Sequence, residues 1–199
     1  TAGPTREFID PVRFITNRST GKMGYAMAHA AIERGAEVTL VTGPVNLQPH
    51  PCARVIQTTT ADQMYKAVMA EWPNHSMIIM AAAVADWCSE SISPTKLKKS
   101  GKTELSIHLK RTPDILKELA AGKRESQLIV GFAADTENLR ENALKKLKGK
   151  TCDAVFANDV SGDDLGFQSD SNAGEILFSD GRSVSVPVQS KRRVADAIL

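Results

Sequence analysis

The chain has 199 residues, 42% of them hydrophobic and 24% charged, with a formal net charge of +2, which allows one substantial core and excludes the charge bias of a nucleic-acid surface. Aromatic residues make up only 5%, no apolar run approaches the roughly 20 residues that cross a bilayer, and no basic leader precedes an apolar stretch, so a soluble, cytoplasmic protein with no membrane or nucleic-acid partner is expected. Cys52, Cys88 and Cys152 are odd in number and far apart, which fits neither a disulfide framework nor a zinc site, and Cys152 reads as a packed residue.

Residues 1–5 (T-A-G-P-T) read as the end of a strand running into a loop, so the sequence is expected to begin partway through a strand or just after one. Residues 11–15 are extended and lead into Asn17-Arg18-Ser19-Thr20-Gly21-Lys22-Met23-Gly24, with a helix over 25–34 behind them. A loop that ends in glycine and opens a helix leaves N–H groups unpaired at the positive end of the helix dipole. Ser19 and Thr20 add hydroxyl donors, Gly21 lets an anion approach the backbone, and Gly24 lets the helix pack closely on a sheet. The spacings G-x-x-x-x-G-K-[ST] and G-x-G-x-x-G are both absent. By itself the loop reads equally as a phosphate site or as a structural turn.

The helix carries small residues at Ala26, Ala28, Ala30 and Ala31 and stops at Gly35, and residues 36–42 form an apolar strand. Strand, loop, helix and strand make a βαβ unit with a parallel sheet. A short strand over 54–56 precedes a helix over 61–71 capped by Thr60. Residues 76–81 are apolar on both faces, as in the middle of a covered sheet, and the run A-A-A-V-A-D-W that follows stands where open parallel sheets bind ligands. Asp86 in that run reads equally as a contact to a metal or polar ligand group and as a helix N-cap or a satisfied loop carboxylate. The lysine loop over 94–101 (P-T-K-L-K-K-S-G) is either a solvated face or a flap that closes over phosphates.

Further along, residues 103–109 alternate as an exposed strand, and Thr112 reads as the cap of a helix with Pro113 in its first turn. A buried strand over 127–132 precedes a helix over 138–148, with Leu139, Ala143, Leu144 and Leu147 inward and Lys145, Lys146 and Lys148 outward. A strand over 154–157 is followed by an acidic loop over 161–172 that lacks the order of a calcium loop. Strands over 175–178 and 184–188 flank Asp180-Gly181 as a hairpin, and Ser190 opens a last helix. His29, His50, His75 and His108 read as scattered surface or packing residues.

The ordered set D-P-V-R-F-I-T-N-R-S-T-G-K-M-G (10–24), A-A-V-A-D (82–86), K-L-K-K (96–99), P-D-I-L (113–116), G-F-A-A-D-T (131–136), A-N-D-V (157–160) and G-F-Q-S-D-S-N (166–172) closely resembles phosphopantothenoylcysteine synthetase, the ligase half of a bifunctional bacterial coenzyme A biosynthesis protein. The resemblance runs over almost the whole chain as one domain. It implies an α/β, Rossmann-like, mostly parallel sheet with helices on both faces and an antiparallel C-terminal hairpin extension. It also implies a ligation of 4′-phosphopantothenate with L-cysteine, driven by CTP and Mg²⁺ through an acyl-cytidylate.

By the same resemblance Asn17 holds the acyl group, Ser19 and Gly21 cradle the triphosphate, and Met80, Ala81 and Ala82 read the nucleotide through their backbone. Asp86 contacts nucleotide and metal, and Lys96 is the flap lysine. Pro113, Asp114, Ile115, Leu116, Phe132, Lys146 and Lys150 are further nucleotide contacts. Arg13 is assigned to the phosphopantothenate from its charge and location alone. The resemblance further implies a homodimer and a flavin-dependent decarboxylase fused to or associated with the native protein. Trp87 departs from the pattern, standing where a smaller aromatic is expected. A Rossmann-type binding module without catalysis is the alternative, which would not need both Asn17 and Lys96, and an NAD(P)-linked oxidoreductase lacks its glycine fingerprint.

Overall fold

The computed structural model describes residues 1–99, 101, 103–135, 138–159 and 168–199. Elements follow as β1 (Glu7–Phe8), β2 (Phe14–Ile15), α1 (Lys22–Glu33), β3 (Thr39–Thr42), β4 (Arg54–Gln57), α2 (Ala61–Glu71), β5 (Met77–Met80), β6 (Trp87–Ser89), β7 (Leu109–Arg111), α3 (Ile115–Gly122), β8 (Leu128–Asp135), α4 (Leu139–Gly149), β9 (Ala154–Asp159), β10 (Ser171–Phe178), β11 (Ser183–Ser190) and α5 (Lys191–Ile198). None of the described helices is long and apolar enough to cross a membrane.

The main sheet is assembled around the first five residues. β11, β10, β9, β8 and β5 bond in that order, and β3 pairs with β4. Residues 1–5 fill the seam between these two groups. Ala2 bridges Thr42 and Pro4 bridges Ala83, both parallel, with Ala2 N donating to Val41 O and Ala83 N to Gly3 O, each at 2.9 Å. The full order is therefore β4, β3, residues 1–5, β5, β8, β9, β10, β11. The first six run parallel, which is the order of a doubly wound nucleotide-binding sheet. β10 and β11 add the antiparallel hairpin.

The expected βαβ unit is present with a different first strand. Residues 1–5 hold its place in the sheet, whereas β2 pairs antiparallel with β1 as a hairpin outside it. The exchange follows from side-chain size at the seam. Gly43 presses on Pro4, where a Cβ would stand 1.8 Å from the Pro4 carbonyl oxygen, and at Gly24 in α1 it would meet the Ala2 Cβ at 2.6 Å. Only the small-residue start of the chain fits between β3 and β5 under α1, while residues 11–15 carry exposed Val12 and Phe14.

Alternate strand residues face opposite layers. Val41, Ile78, Met80, Ile129, Val155 and Leu177 pack with Met64 and Val68 of α2, Leu116 and Leu119 of α3 and Leu147 of α4. On the other face Val130, Phe156 and Ile176 pack with Val194 of α5, and Tyr25 and Ala28 of α1 pack over Ala2 and Leu40. Thr60 caps α2 through a full capping box with Gln63, as its spacing predicts. Cys152 is buried, as expected, and burial pushes its thiol up to about 11, which leaves it unreactive.

Four expectations need correction. The strand expected over 103–109 is Leu109–Arg111, since β6 offers partners only to those residues; residues 103–108 alternate in sequence but face solvent. Asp114, not Thr112, caps α3 by accepting from Lys117 N at 3.1 Å. Lys146 does not point outward: its ammonium donates to Phe132 O. The histidines are not all scattered, because His29 and His50 stack edge to face at 5.1 Å and His75 lies 3.8 Å from Glu71. The acidic loop expected over 161–172 and the motifs reaching residues 136, 160, 166 and 167 lie partly outside the described residues.

Candidate active site

The candidate site lies at the switch point of the sheet, where residues 3–5 and the chain leaving β5 diverge. The alanine run after β5 has no bulk to hold the chains apart, and it is laced to the opening segment. Ala82 N donates to Thr1 Oγ1 (3.1 Å), Thr5 N to Ala83 O (3.3 Å) and Ala85 N to Thr5 Oγ1 (3.0 Å). Asn17 joins the same knot. Its Nδ2 donates to Ala83 O and its Oδ1 accepts from Ser19 N at 3.0 Å, so one amide ties the glycine loop to the end of β5.

Within the loop the sequence expectation is refined. Gly21 N donates to Ser19 Oγ at 3.3 Å, so this N–H serves the loop itself. What the loop offers an anion is the first turn of α1. Gly21, at φ 80, occupies the cap position and supplies no side-chain cap, and no acidic residue lies in that turn. The uncapped N–H groups of Lys22, Met23 and Gly24 therefore form the positive end of a twelve-residue helix. Lys22 is committed elsewhere, donating to Gln168 O (2.9 Å) and Asp170 (2.6 Å), and that contact holds the Asp170 carboxyl below its ordinary range.

The β1–β2 hairpin runs directly into Asn17, and its far end holds the lysine loop. Arg13 donates to Leu97 O at 3.0 Å, Asp10 Oδ2 accepts from Leu97 N at 3.1 Å, and Ser93 N donates to Ile9 O at 3.0 Å. Arg13 is thus a clamp on the chain beside Lys96. Lys96 itself is exposed, and none of the described residues pairs with its ammonium. Arg6, Arg13, Arg18, Lys96, Lys98 and Lys99 give this rim a positive field suited to phosphates. The Asp10 contact is a feature that sequence reading missed, although the D-P-V-R order is the signature of an Asp-initiated turn.

The remaining candidates gather beside it. Asp86 is exposed, its carbonyl accepts from Thr112 N at 3.0 Å, and Thr112 Oγ1 donates to Ala85 O at 2.6 Å. That tie brings Pro113 and Asp114 to the carboxyl side of the sheet. Asp114 pairs with Lys150, and Lys146 reaches the Phe132 carbonyl from α4. Ile115 and Leu116 are core residues, leaving only their backbone for a ligand, and the Phe132 ring packs on Phe156 with centroids 5.6 Å apart.

Two cavities flank the sheet. One of about 870 Å³, lined by Arg6, Tyr25, Thr42, Val45, Gln57 and Thr59 among others, opens at the carboxyl ends of β3 and β4 next to Gly21, whose Cβ would touch Val45. The other, of about 340 Å³, lies towards the opposite ends of the strands among Met27, Val38, Trp72 and Ile79, and of the residues in the glycine loop and first turn of α1 it touches Gly24 alone.

The family described as the DNA/pantothenate metabolism flavoprotein C-terminal domain matches residues 1–199. The chain belongs to this family. It is similar to the coenzyme A biosynthesis bifunctional protein CoaBC of Bacillus subtilis strain 168, 47% identical over 200 residues, and to that of Escherichia coli K12, 44% identical over 201; each match covers 100% of this chain and 49% of the relative. The chain thus spans about half the length of these relatives. Among solved structures, the crystal structure of the C-terminal domain of CoaBC superposes with a TM-score of 0.84 at 41% identity, covering 99% of this chain and 88% of that one. A Cab2 mutant in complex with phosphopantothenate-cysteine shares the fold alone, with a TM-score of 0.78 at 16% identity, covering 99% of this chain and 83% of that one.

Proposed function

We propose that the chain is a ligase of coenzyme A biosynthesis that joins the carboxylate of 4′-phosphopantothenate to the amino group of L-cysteine at the expense of CTP. The observation that carries this reading is the Asn17 amide, which bridges the loop before α1 and the end of β5 beside a lysine loop docked on the same hairpin. In the first step a carboxylate oxygen attacks the α-phosphorus, the bond to the β-phosphate oxygen breaks, and pyrophosphate leaves. The uncapped first turn of α1 and Lys96 would hold phosphate oxygens and meet their developing charge. In the second step the cysteine amine attacks the acyl carbon, loses a proton and expels CMP, giving 4′-phosphopantothenoylcysteine. Asn17 Nδ2 carries a second N–H beyond the one given to Ala83 O, a donor suited to the tetrahedral oxyanion.

Mg²⁺ fits this site as an ion brought by the nucleotide. No group of three His, Cys, Asp or Glu among the described residues could hold a metal, but Mg²⁺ bound through phosphates needs only one or two carboxylates, and Asp86 stands exposed at the right end of β5. The ion would neutralise phosphate charge there. The choice of CTP over ATP is supported by the resemblance to bacterial synthetases, and no residue type here dictates it. The rest of the native protein is proposed to carry the flavin-dependent decarboxylase, in line with the bifunctional names of the relatives. The reading is tested by incubating the protein with Mg²⁺, phosphopantothenate and CTP or ATP without cysteine. An acyl-cytidylate found by mass spectrometry, converted to product when cysteine is added, is the expected result. A folded protein that forms no adduct with either nucleotide would return the site to a binding module.

A homodimer is part of this proposal. The segment around β6 and β7 exposes Trp87, Ile92, Leu105, Ile107 and Leu109, and the hairpin edge exposes Val184 and Val188; exposed apolar patches mark association sites, and the first segment carries the proposal. Replacing Leu105 and Leu109 together by Asp is expected to convert a dimer to a monomer in sedimentation velocity. An unchanged sedimentation coefficient would place the contact elsewhere.

A further inference from the structure

We propose that Asp10 is a positioning residue for Lys96: its carboxylate anchors the lysine loop to the hairpin that carries Asn17, so that the two groups are set relative to each other by one rigid unit. The inference rests on the ligase reading only in taking Lys96 to act on the phosphates.

Asp10 is fully buried. A buried carboxylate is retained only where hydrogen bonds and charges replace its water. Here Oδ1 accepts from Val12 N and Arg13 N, both at 2.8 Å, Oδ2 accepts from Leu97 N at 3.1 Å, and Arg13 lies 3.5 Å from Oδ2. Burial alone would raise the carboxyl, and the N–H groups of Val12, Leu97 and Arg13, with the Arg13 charge, outweigh it and hold it below the ordinary range. The bonds to Val12 and Arg13 are those of any Asp-initiated turn. The bond to Leu97 is not local, since it spans 87 residues, and it fixes the residue next to Lys96. Arg13 completes the clamp by holding the Leu97 carbonyl, so both polar backbone atoms of Leu97 are bound to one turn. From Arg13 to Asn17 is four residues, at most about 14 Å of extended chain. Through this connection the lysine loop is referenced to the Asn17 loop, which is itself tied to Ala83 at the end of β5.

The test combines hydrogen exchange with a double-mutant cycle. Asp10→Asn places an N–H₂ or a neutral oxygen against Leu97 N, and exchange in the peptide covering residues 93–97 is expected to accelerate by about tenfold or more while β5 and β8 stay protected. Acyl-nucleotide formation is expected to fall roughly ten- to a hundredfold, the cost of a misplaced group, and adding Asp10→Asn to Lys96→Ala is expected to lower the rate no further. Unchanged exchange at 93–97, or an equal rate loss with and without Lys96, would overturn the proposal. Should Asp10→Asn fail to fold, Arg13→Gln removes the exposed half of the clamp, and its exchange at 93–97 decides in the same way. If the wild type turns over nothing, the ligase reading fails while the exchange measurement still decides the anchor.

Discussion

Lys96→Ala is expected to slow pyrophosphate release by roughly a hundred- to a thousandfold, the usual effect of removing one group that stabilises charge in the transition state. The same substitution should leave the free energy of unfolding within about 0.5 kcal/mol of the wild type, because the side chain is exposed and exposed side chains without partners contribute little to stability. This separation of activity from stability is what distinguishes a flap lysine from a solvated one. Lys98→Ala, from the same loop and equally exposed, is the control, with a much smaller effect expected. Stopped-flow measurement of pyrophosphate release with all other substrates saturating checks both. An equal rate for wild type and Lys96→Ala would leave the lysine loop as a solvated face.

The second large effect is expected at Gly43. Its N–H donates to Ala2 O at 2.9 Å, and a methyl group there would stand 1.8 Å from the Pro4 oxygen and 2.8 Å from the Pro4 carbonyl carbon. Both obstacles are backbone in the centre of the sheet, so no side-chain rotation relieves them. Gly43→Ala should cost roughly 4 kcal/mol or more, the range reserved for disrupted cores, and the variant should unfold at much lower urea or fail to accumulate as folded protein. Circular dichroism during urea titration measures it. A wild-type midpoint would mean that residues 1–5 do not occupy the seam.

Much of this architecture was legible in the sequence because the signals were physical and local. A run apolar on both faces marked β5, buried runs marked β8 and β9, Thr60 marked the start of α2, and Asp180-Gly181 marked the hairpin. What misled was partnership. Residues 11–15 look as strand-like as residues 1–5, and only the space left by Gly24 and Gly43 decides which enters the sheet. Residues 103–109 alternate correctly but find nothing to pair with until β6, a strand of three residues with no pattern of its own. Thr112 and Asp114 are both capping residues, and the Thr112 hydroxyl is taken by Ala85 O. For the site, the resemblance supplied Asn17, Lys96, Lys146 and Lys150, and the structure brings the loop of Asn17 to the end of β5 and Lys150 to Asp114. Asp10 escaped notice because its decisive partner is 87 residues away.

The place of residues 1–5 also bears on how the molecule folds. These residues join the two halves of the sheet, yet their partners on the β5 side lie about 80 positions along the chain, with Thr1 Oγ1 bonded to Ala82 N 81 residues away. Contacts of such separation are costly to form early. The β3–β4 side can take up the opening segment first, at a separation of about 40 residues, and the seam with β5 closes only once α2 has folded over. The switch point, where the substrates would sit, is then among the last parts of the sheet to form, closing as α2 and β3 join the core they share with β5 and β8.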